Sequence, residues 1–130
     1  MDISLYQAET AIGQAKSKAE EINVPVNIVV LDTGGYLKSF IRMDNAFIGS
    51  IDIAIQKAKT AMLFRTNSET VGEFLKPEAR AFGLENTNGG LVGFPGGRPI
   101  LKGSQIIGYI GVSGGAVPQD LQIATAGSLI

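Results

Sequence analysis

One α+β domain, a five-stranded antiparallel sheet with helices on both faces, is the fold this sequence predicts over residues 1–130. Three observations carry that expectation. The stretch from Gln105 to Ser113 is β-rich and apolar on both sides, as befits a central strand covered on both faces. Segments of helical periodicity stand near the start, in the middle and at the end of the chain. Three late strand-like segments joined by tight turns force antiparallel pairing.

The first helix opens at Ser4, where Gln7 three residues on completes a capping box. Leu5, Ala8, Ile12, Ala15, Ala19 and Ile22 give it one apolar stripe, and Pro25 stops it. Val26 to Leu31 is nearly all apolar and reads as a second central strand. Asp32-Thr33-Gly34-Gly35 is a strong hairpin signal. Tyr36 to Met43 returns as an alternating strand nearer the edge.

A second helix starts around Ser50 with Ile51, Ala54, Ile55, Ala58, Ala61 and Met62 as its buried stripe. Ser68 caps a short third helix whose Phe74 and Leu75 face inward, and Pro77 starts another turn or two. Leu91 to Phe94 and Arg98 to Lys102 then read as short strands across Pro95-Gly96-Gly97, and Gly103-Ser104 turns into the organising strand. There Ile106, Ile110 and Val112 point one way with Gly108, and Ile107, Tyr109 and Ser113 the other way with Gly111. The strand glycines signal the close approach of a packed helix or a bound ligand. Pro118 and Gln119 open a last helix. The order α-β-β-α-α-β-β-β-α suits a profilin-like or PAS-like α/β sandwich.

Composition excludes more than it selects. The net charge is −1 with no basic stripe, against nucleic-acid binding. No apolar run is long enough to span a bilayer. Met1-Asp2-Ile3-Ser4 has neither a basic nor an apolar leader region, so a cytoplasmic location is expected. The chain has no cysteine and no histidine. That removes disulfides, cysteine and histidine zinc sites, triads built on histidine and haem held by an imidazole of this chain; no metal site is expected. Acid–base work would fall to Asp, Glu, Lys or Tyr.

Three constellations are candidates for chemistry. Asp32, Gly34 and Gly35 with Arg42 and Asp44 stand at the ends of one hairpin. The aspartates read either as turn caps or, with the planar fork of Arg42, as a rim that holds a carboxylate or polar ligand. Gly96 and Gly97 make either a tight hairpin or a nest of amides facing an anion. Ser113, Gly114 and Asp120 lie where a strand passes into a helix N-terminus, a place that suits an acidic residue or a ligand carboxylate. Neither GxGxxG nor GxxxxGK occurs. Lys57, Lys59 and Thr60 read as a solvated helix face, and Tyr6, Tyr36 and Tyr109 as core or rim.

In order along the chain, five motifs resemble the GlcG/HbpS-like family, which includes haem-binding and haem-degrading proteins and the C-terminal domain of PduO adenosyltransferases. They are Val29-Val30-Leu31-Asp32-Thr33-Gly34-Gly35, Arg42-Met43-Asp44-Asn45-Ala46, Lys57-Ala58-Lys59-Thr60-Ala61, Gly96-Gly97-Arg98-Pro99-Ile100, and Ile107 to Gly115 leading to Gln119-Asp120. The resemblance implies a sandwich around a five-stranded antiparallel sheet and assembly as a dimer or larger homo-oligomer. Some relatives bind haem, in some cases through a histidine near the N-terminus, which this chain lacks. The expectation is therefore a homo-oligomeric protein that binds a small molecule, foremost a tetrapyrrole such as haem or a corrinoid, without a histidine ligand. Tyr, Met or Thr would serve instead, or apolar contacts alone. Arg42, Asp44, Ser113 and Asp120 would rim the site and the glycine pairs shape it. The alternatives are a small enzyme acting on an organic acid, with Asp32, Asp44 or Asp120 as acid/base and Arg42 as anchor, and an accessory partner of a metabolic enzyme.

Overall fold

In the computed structural model, which describes residues 1–130, helix α1 (Leu5–Glu21) begins where the sequence caps it. The Ser4 Oγ accepts from the Gln7 amide at 3.1 Å, and the Gln7 Oε1 accepts from the Ser4 amide at 2.9 Å. Ala8, Ala11, Ile12, Ala15 and Ala19 are buried, but Leu5 is exposed. Its expected place against the sheet is taken by Ile3, whose amide donates to the Ile107 carbonyl and whose side chain is buried. Gly13 lies in the helix interior with open space around its Cα. Gly13→Ala should therefore stabilise the fold by about 0.5–1 kcal/mol in urea melts.

Strands β1 (Asn27–Leu31), β2 (Leu37–Arg42), β3 (Gly97–Lys102) and β4 (Gln105–Ser113) form one antiparallel sheet in the order β2-β1-β4-β3. The two strands that read as central are central, and β1 is buried along its whole length. The sheet has four strands, not five. Leu91 to Phe94 does not join because its polar groups are taken elsewhere: the Leu91 amide bonds the Glu85 carbonyl, the Val92 amide the Thr60 Oγ1, and the Phe94 carbonyl the Ser68 hydroxyl. The free edge of β3 is covered instead by the C-terminus. The Leu101 amide donates to Ser128, and the Ile130 amide to Leu101. The outer edge of β2 stays unpaired.

A bulge alters the expected facing of β4. Ile100 pairs with Gly108 while Leu101 pairs with Ile106, so Ile107 is the extra residue. It turns into the core that strict alternation assigns to its neighbours.

Helices α1 and α4 (Val117–Gly127) cover one face, over a core that includes Ile28, Val30, Ile100, Ile110, Val112 and Ile123. Helix α2 (Gly49–Phe64) covers the other, over Val29 and Leu31. It comes close because a Cβ at Gly111 or Gly97 would run into the carbonyls of Ala54 and Lys57. Gly111 and Gly97 thus serve helix packing, whereas a Cβ at Gly108 would meet the Leu31 carbonyl and Ile3. The buried face of α2 is rotated from the expected stripe: Ser50, Ala54, Lys57, Ala58, Thr60 and Ala61 are buried, and Ile51, Ile55 and Met62 only half so.

Helix α3 (Ser68–Phe74) and two 3-10 turns, Pro77–Ala79 and Leu84–Gly89, complete the chain. Asn67, not Ser68, is the cap of α3, and Phe74 is exposed. Tyr6 and Tyr36 are exposed as well, whereas Tyr109 is buried, which raises its phenol pKa. No helix is long and apolar enough to cross a membrane.

Candidate functional site

The sequence-predicted site residues fall into three separate places. The first is the hairpin between β1 and β2. There the Asp32 Oδ1 accepts from the amides of Gly34 at 3.0 Å and Tyr36 at 2.9 Å, while its backbone closes the turn with Gly35 and Tyr36. Gly35 has φ +87, a backbone conformation that calls for glycine, and packs on the end of the Met62 side chain. The Asp2 Oδ1 accepts from the Thr33 amide at 2.8 Å, and that bond holds the Asp2 carboxyl below its usual pKa. Asp32 here is a turn-former.

The second place gathers Gly96, Gly97 and Asp120 around a residue the sequence reading placed in solvent, while Ser113 is buried beside Asn27 and Gly114 lies against Pro25 and Val26. Lys57 is fully buried. It lies on the Ala54–Ala58–Ala61 side of α2, and its ammonium reaches under the end of β4. The Nζ donates to the Val112 carbonyl at 2.9 Å and to the Asp120 Oδ2 at 3.0 Å, and it stands 4.6 Å from the centre of the Phe94 ring. The other Asp120 oxygen accepts from the Gly115 amide at 2.8 Å. Gly96 and Gly97 lie directly against Lys57, where a Cβ would clash. The Ser68 hydroxyl ties the same loop down, donating to the Phe94 carbonyl and accepting from the Gly97 amide. One buried cation thus joins the end of β4, the first turns of α4 and the loop before β3. The space where an amide nest would face an anion is filled by this side chain.

Burial lowers the Lys57 pKa, and the charge and hydrogen bond of Asp120 pull it back up in part. Between the depressed value and the ordinary 10.5, the unfolded chain carries more protons than the folded one. The contribution of this group to stability accordingly rises with pH through that window. Urea melts from pH 8 to 10.5 should show wild type gaining on the uncharged pair Lys57→Met/Asp120→Leu. A gap that stays constant or closes would contradict the burial of a charged amine there.

The third place is a groove of about 650 Å³ between α1 and β2. Ile12, Ile41 and Met43 form its apolar lining, Lys16 and Arg42 bring cations, and Glu9, Glu20 and Asp44 bring acids. Arg42 and Asp44 are therefore together, as the motif suggested, but Ser113 and Asp120 are not among the residues that line the groove with them. Sequence reading missed Ile12 and Lys16 as groove residues. Their spacing by one helical turn on α1 is visible in the sequence, but the strand facing them is not. A smaller apolar cavity of about 370 Å³ lies among Phe64, Thr66, Val71, Phe74 and Leu84.

Asn27 links the groove to the end of β4. It pairs across the sheet with Arg42 on one side and Ser113 on the other. It is fully buried, its Nδ2 donates to the Phe47 carbonyl at 3.0 Å, and its Oδ1 has no partner.

Comparison with known proteins places this geometry. The family model described as haem degrading protein HbpS-like matches residues 3–128. An uncharacterised 15.0 kDa protein of the dhaT–dhaS intergenic region of Citrobacter freundii is 41% identical, over 94% of this chain and 87% of that protein. The corrinoid adenosyltransferase PduO of the same organism is 34% identical over 95% of this chain, which spans only 37% of that enzyme's length. Among solved structures, a PduOC:haem complex superposes with a TM-score of 0.90 at 30% identity, covering 98% of this chain and 93% of that one.

Proposed function

Because the chain belongs to the HbpS-like family, over residues 3–128, we propose that it binds a tetrapyrrole, haem or a corrinoid, in the groove between α1 and β2, as a homo-oligomer. The observation that carries this reading is the pairing, in one groove, of three apolar residues with two cations, beside the acids Glu9, Glu20 and Asp44. Ile12, Ile41 and Met43 suit the face of a macrocycle, which gains by leaving water. Lys16 and Arg42 suit its acidic side chains, and the planar fork of Arg42 favours bidentate pairing with a carboxylate. The likeness to the PduOC:haem complex supports the same ligand class. With no histidine in the chain, the groove works through apolar contact, cations and donors other than imidazole. A bound metallotetrapyrrole would supply a metal centre tuned by its surroundings. Self-association is supported by the unpaired edge of β2 and by the exposed Leu37, Phe47 and Ile48.

The acid–base alternative gains no support from the geometry. Asp32 closes a turn, Asp120 is held between Lys57 and the Gly115 amide, and Asp44 is exposed.

Absorption titrations with haemin and with cobinamide test the reading. Saturable binding is expected, and Lys16→Ala/Arg42→Ala should weaken it roughly 10- to 100-fold, as the loss of charge-assisted bonds implies. A double variant that binds like wild type would remove the groove from the proposal. No saturable binding of either ligand would remove the tetrapyrrole. Native mass spectrometry reads the assembly, and a monomer at working concentration would remove the oligomer.

A further inference from the structure

Strand β2 is the edge of the sheet left open, since the C-terminus covers the other. The Met43 amide donates inward to the Val26 carbonyl, and β2 pairs with β1 through Arg42–Asn27, Ile41–Ile28, Phe40–Val29 and Ser39–Val30. Inward and outward residues alternate along an antiparallel edge. Ser39, Ile41 and Met43 therefore turn their N–H and C=O groups to β1, and those of Phe40 and Arg42 point outward without a partner. Apolar side chains stand exposed at both ends of this edge, Tyr36 and Leu37 where β2 begins, Phe47 and Ile48 just past its end. Charge is divided in the same way. The cation Lys38 lies near the start and the acid Asp44 after the end, both exposed.

We propose that a second copy of this chain docks here, β2 against β2, antiparallel about a twofold axis at Ile41, so that two four-stranded sheets become one of eight strands. The inference deepens the homo-oligomer reading above and does not depend on the ligand. Antiparallel pairing sets the start of one strand against the end of the other. Tyr36 and Leu37 then approach the partner's Phe47 and Ile48, and side chains exposed in the single chain leave water together. Only registers that place outward residues opposite each other form backbone bonds. Centred on Phe40, the pairing would put Lys38 opposite the partner's Arg42, two cations face to face. Centred on Ser39, it would put Arg42 opposite the partner's Tyr36, whose amide and carbonyl are already bonded to Asp32. Centred on Ile41, Phe40 and Arg42 exchange backbone bonds with the partner's Arg42 and Phe40, and each guanidinium lies beside a ring. Lys38 then stands opposite the partner's Asp44. The charges that penalise one register thus select another.

The chain has no cysteine, so single introduced cysteines read the register directly. At the axis the two Ile41 positions form a non-hydrogen-bonded pair with Cα atoms about 4.5 Å apart, within disulfide reach. Mild oxidation should convert Ile41→Cys to a covalent dimer. Phe40→Cys, central only in the rival register and out of disulfide reach in this one, should not cross-link. By sedimentation equilibrium, Asp44→Lys should weaken the dimer at least about tenfold, because the twofold axis counts each substitution twice. The swap Lys38→Asp/Asp44→Lys should bring it back to within about threefold of wild type. Hydrogen exchange on wild type reads the same edge whatever the variants do to folding. The Phe40 and Arg42 amides should be protected in concentrated protein and lose protection on dilution.

Cross-linking through Phe40→Cys and not Ile41→Cys, or a swap that restores nothing, overturns the register and with it the proposal. An oligomer whose Phe40 and Arg42 amides exchange freely at every concentration overturns the β2 interface while the homo-oligomer reading stands. A monomer at every working concentration overturns both.

Discussion

Asp120→Ala and Lys57→Met should each lower stability by about 3–5 kcal/mol, because each leaves the other charge buried without its partner. In Asp120→Ala the Lys57 ammonium keeps the Val112 carbonyl and the face of Phe94 but loses its only counter-charge, and the Gly115 amide loses its acceptor. In Lys57→Met the carboxylate keeps only the Gly115 amide. The double variant Lys57→Met/Asp120→Leu should cost clearly less than the sum of the two, since no uncompensated charge remains. Denaturant midpoints over the full cycle measure this. Additive single losses of under about 1 kcal/mol would mean that the pair is hydrated in solution. Hydrogen exchange offers a local reading: in Asp120→Ala the Gly115 amide should lose protection before the core strands do.

The second large effect should come from adding one methyl group to the sheet. Gly111→Ala puts a carbon into the Ala54 carbonyl, and Gly97→Ala puts one into the Lys57 carbonyl. In both cases the obstacle is helix backbone, which cannot swing aside as a flexible side chain would. Helix α2 would have to lift from the sheet, and a loss of roughly 3 kcal/mol or more is expected for each. Gly97→Ala should also loosen the Lys57 pair, because that glycine and Gly96 cover the lysine. Thermal midpoints within a degree or two of wild type for either variant would show that α2 sits farther from the sheet than described.

Much of the fold was open to direct reading. The Ser4–Gln7 box, the Asp32–Gly35 hairpin and the two central strands depend on local chemistry: a cap, a turn, an unbroken apolar run. Errors arose where local pattern met competition from distant groups. Leu91 to Phe94 has strand composition, but Thr60, Ser68 and Glu85 take its backbone groups, and the C-terminus takes the edge it would have used. Ile107 faces the wrong way for a regular strand because a bulge precedes Gly108, and nothing in QIIGYIGVS marks that extra residue.

The candidate site divides along the same line. Arg42 and Asp44 could be paired from one short motif, and the structure keeps them in one groove. The other wall, with Ile12 and Lys16, comes from a helix some thirty residues earlier and is supplied by packing. Lys57 is the sharpest case. A lysine between Gln56 and Ala58 on an amphipathic helix reads as solvated, because burying an ammonium is unfavourable unless a partner waits for it.

By itself, then, the sequence determined the capped start of α1, the hairpin, the central strands, the exclusion of imidazole and thiolate chemistry, and the family. Only the tertiary structure decided the strand count, the facing of Ile107, the groove and the burial of Lys57. The reason is physical: caps, turns and periodicity act within a few residues, whereas a buried charge is settled by an aspartate 63 positions away.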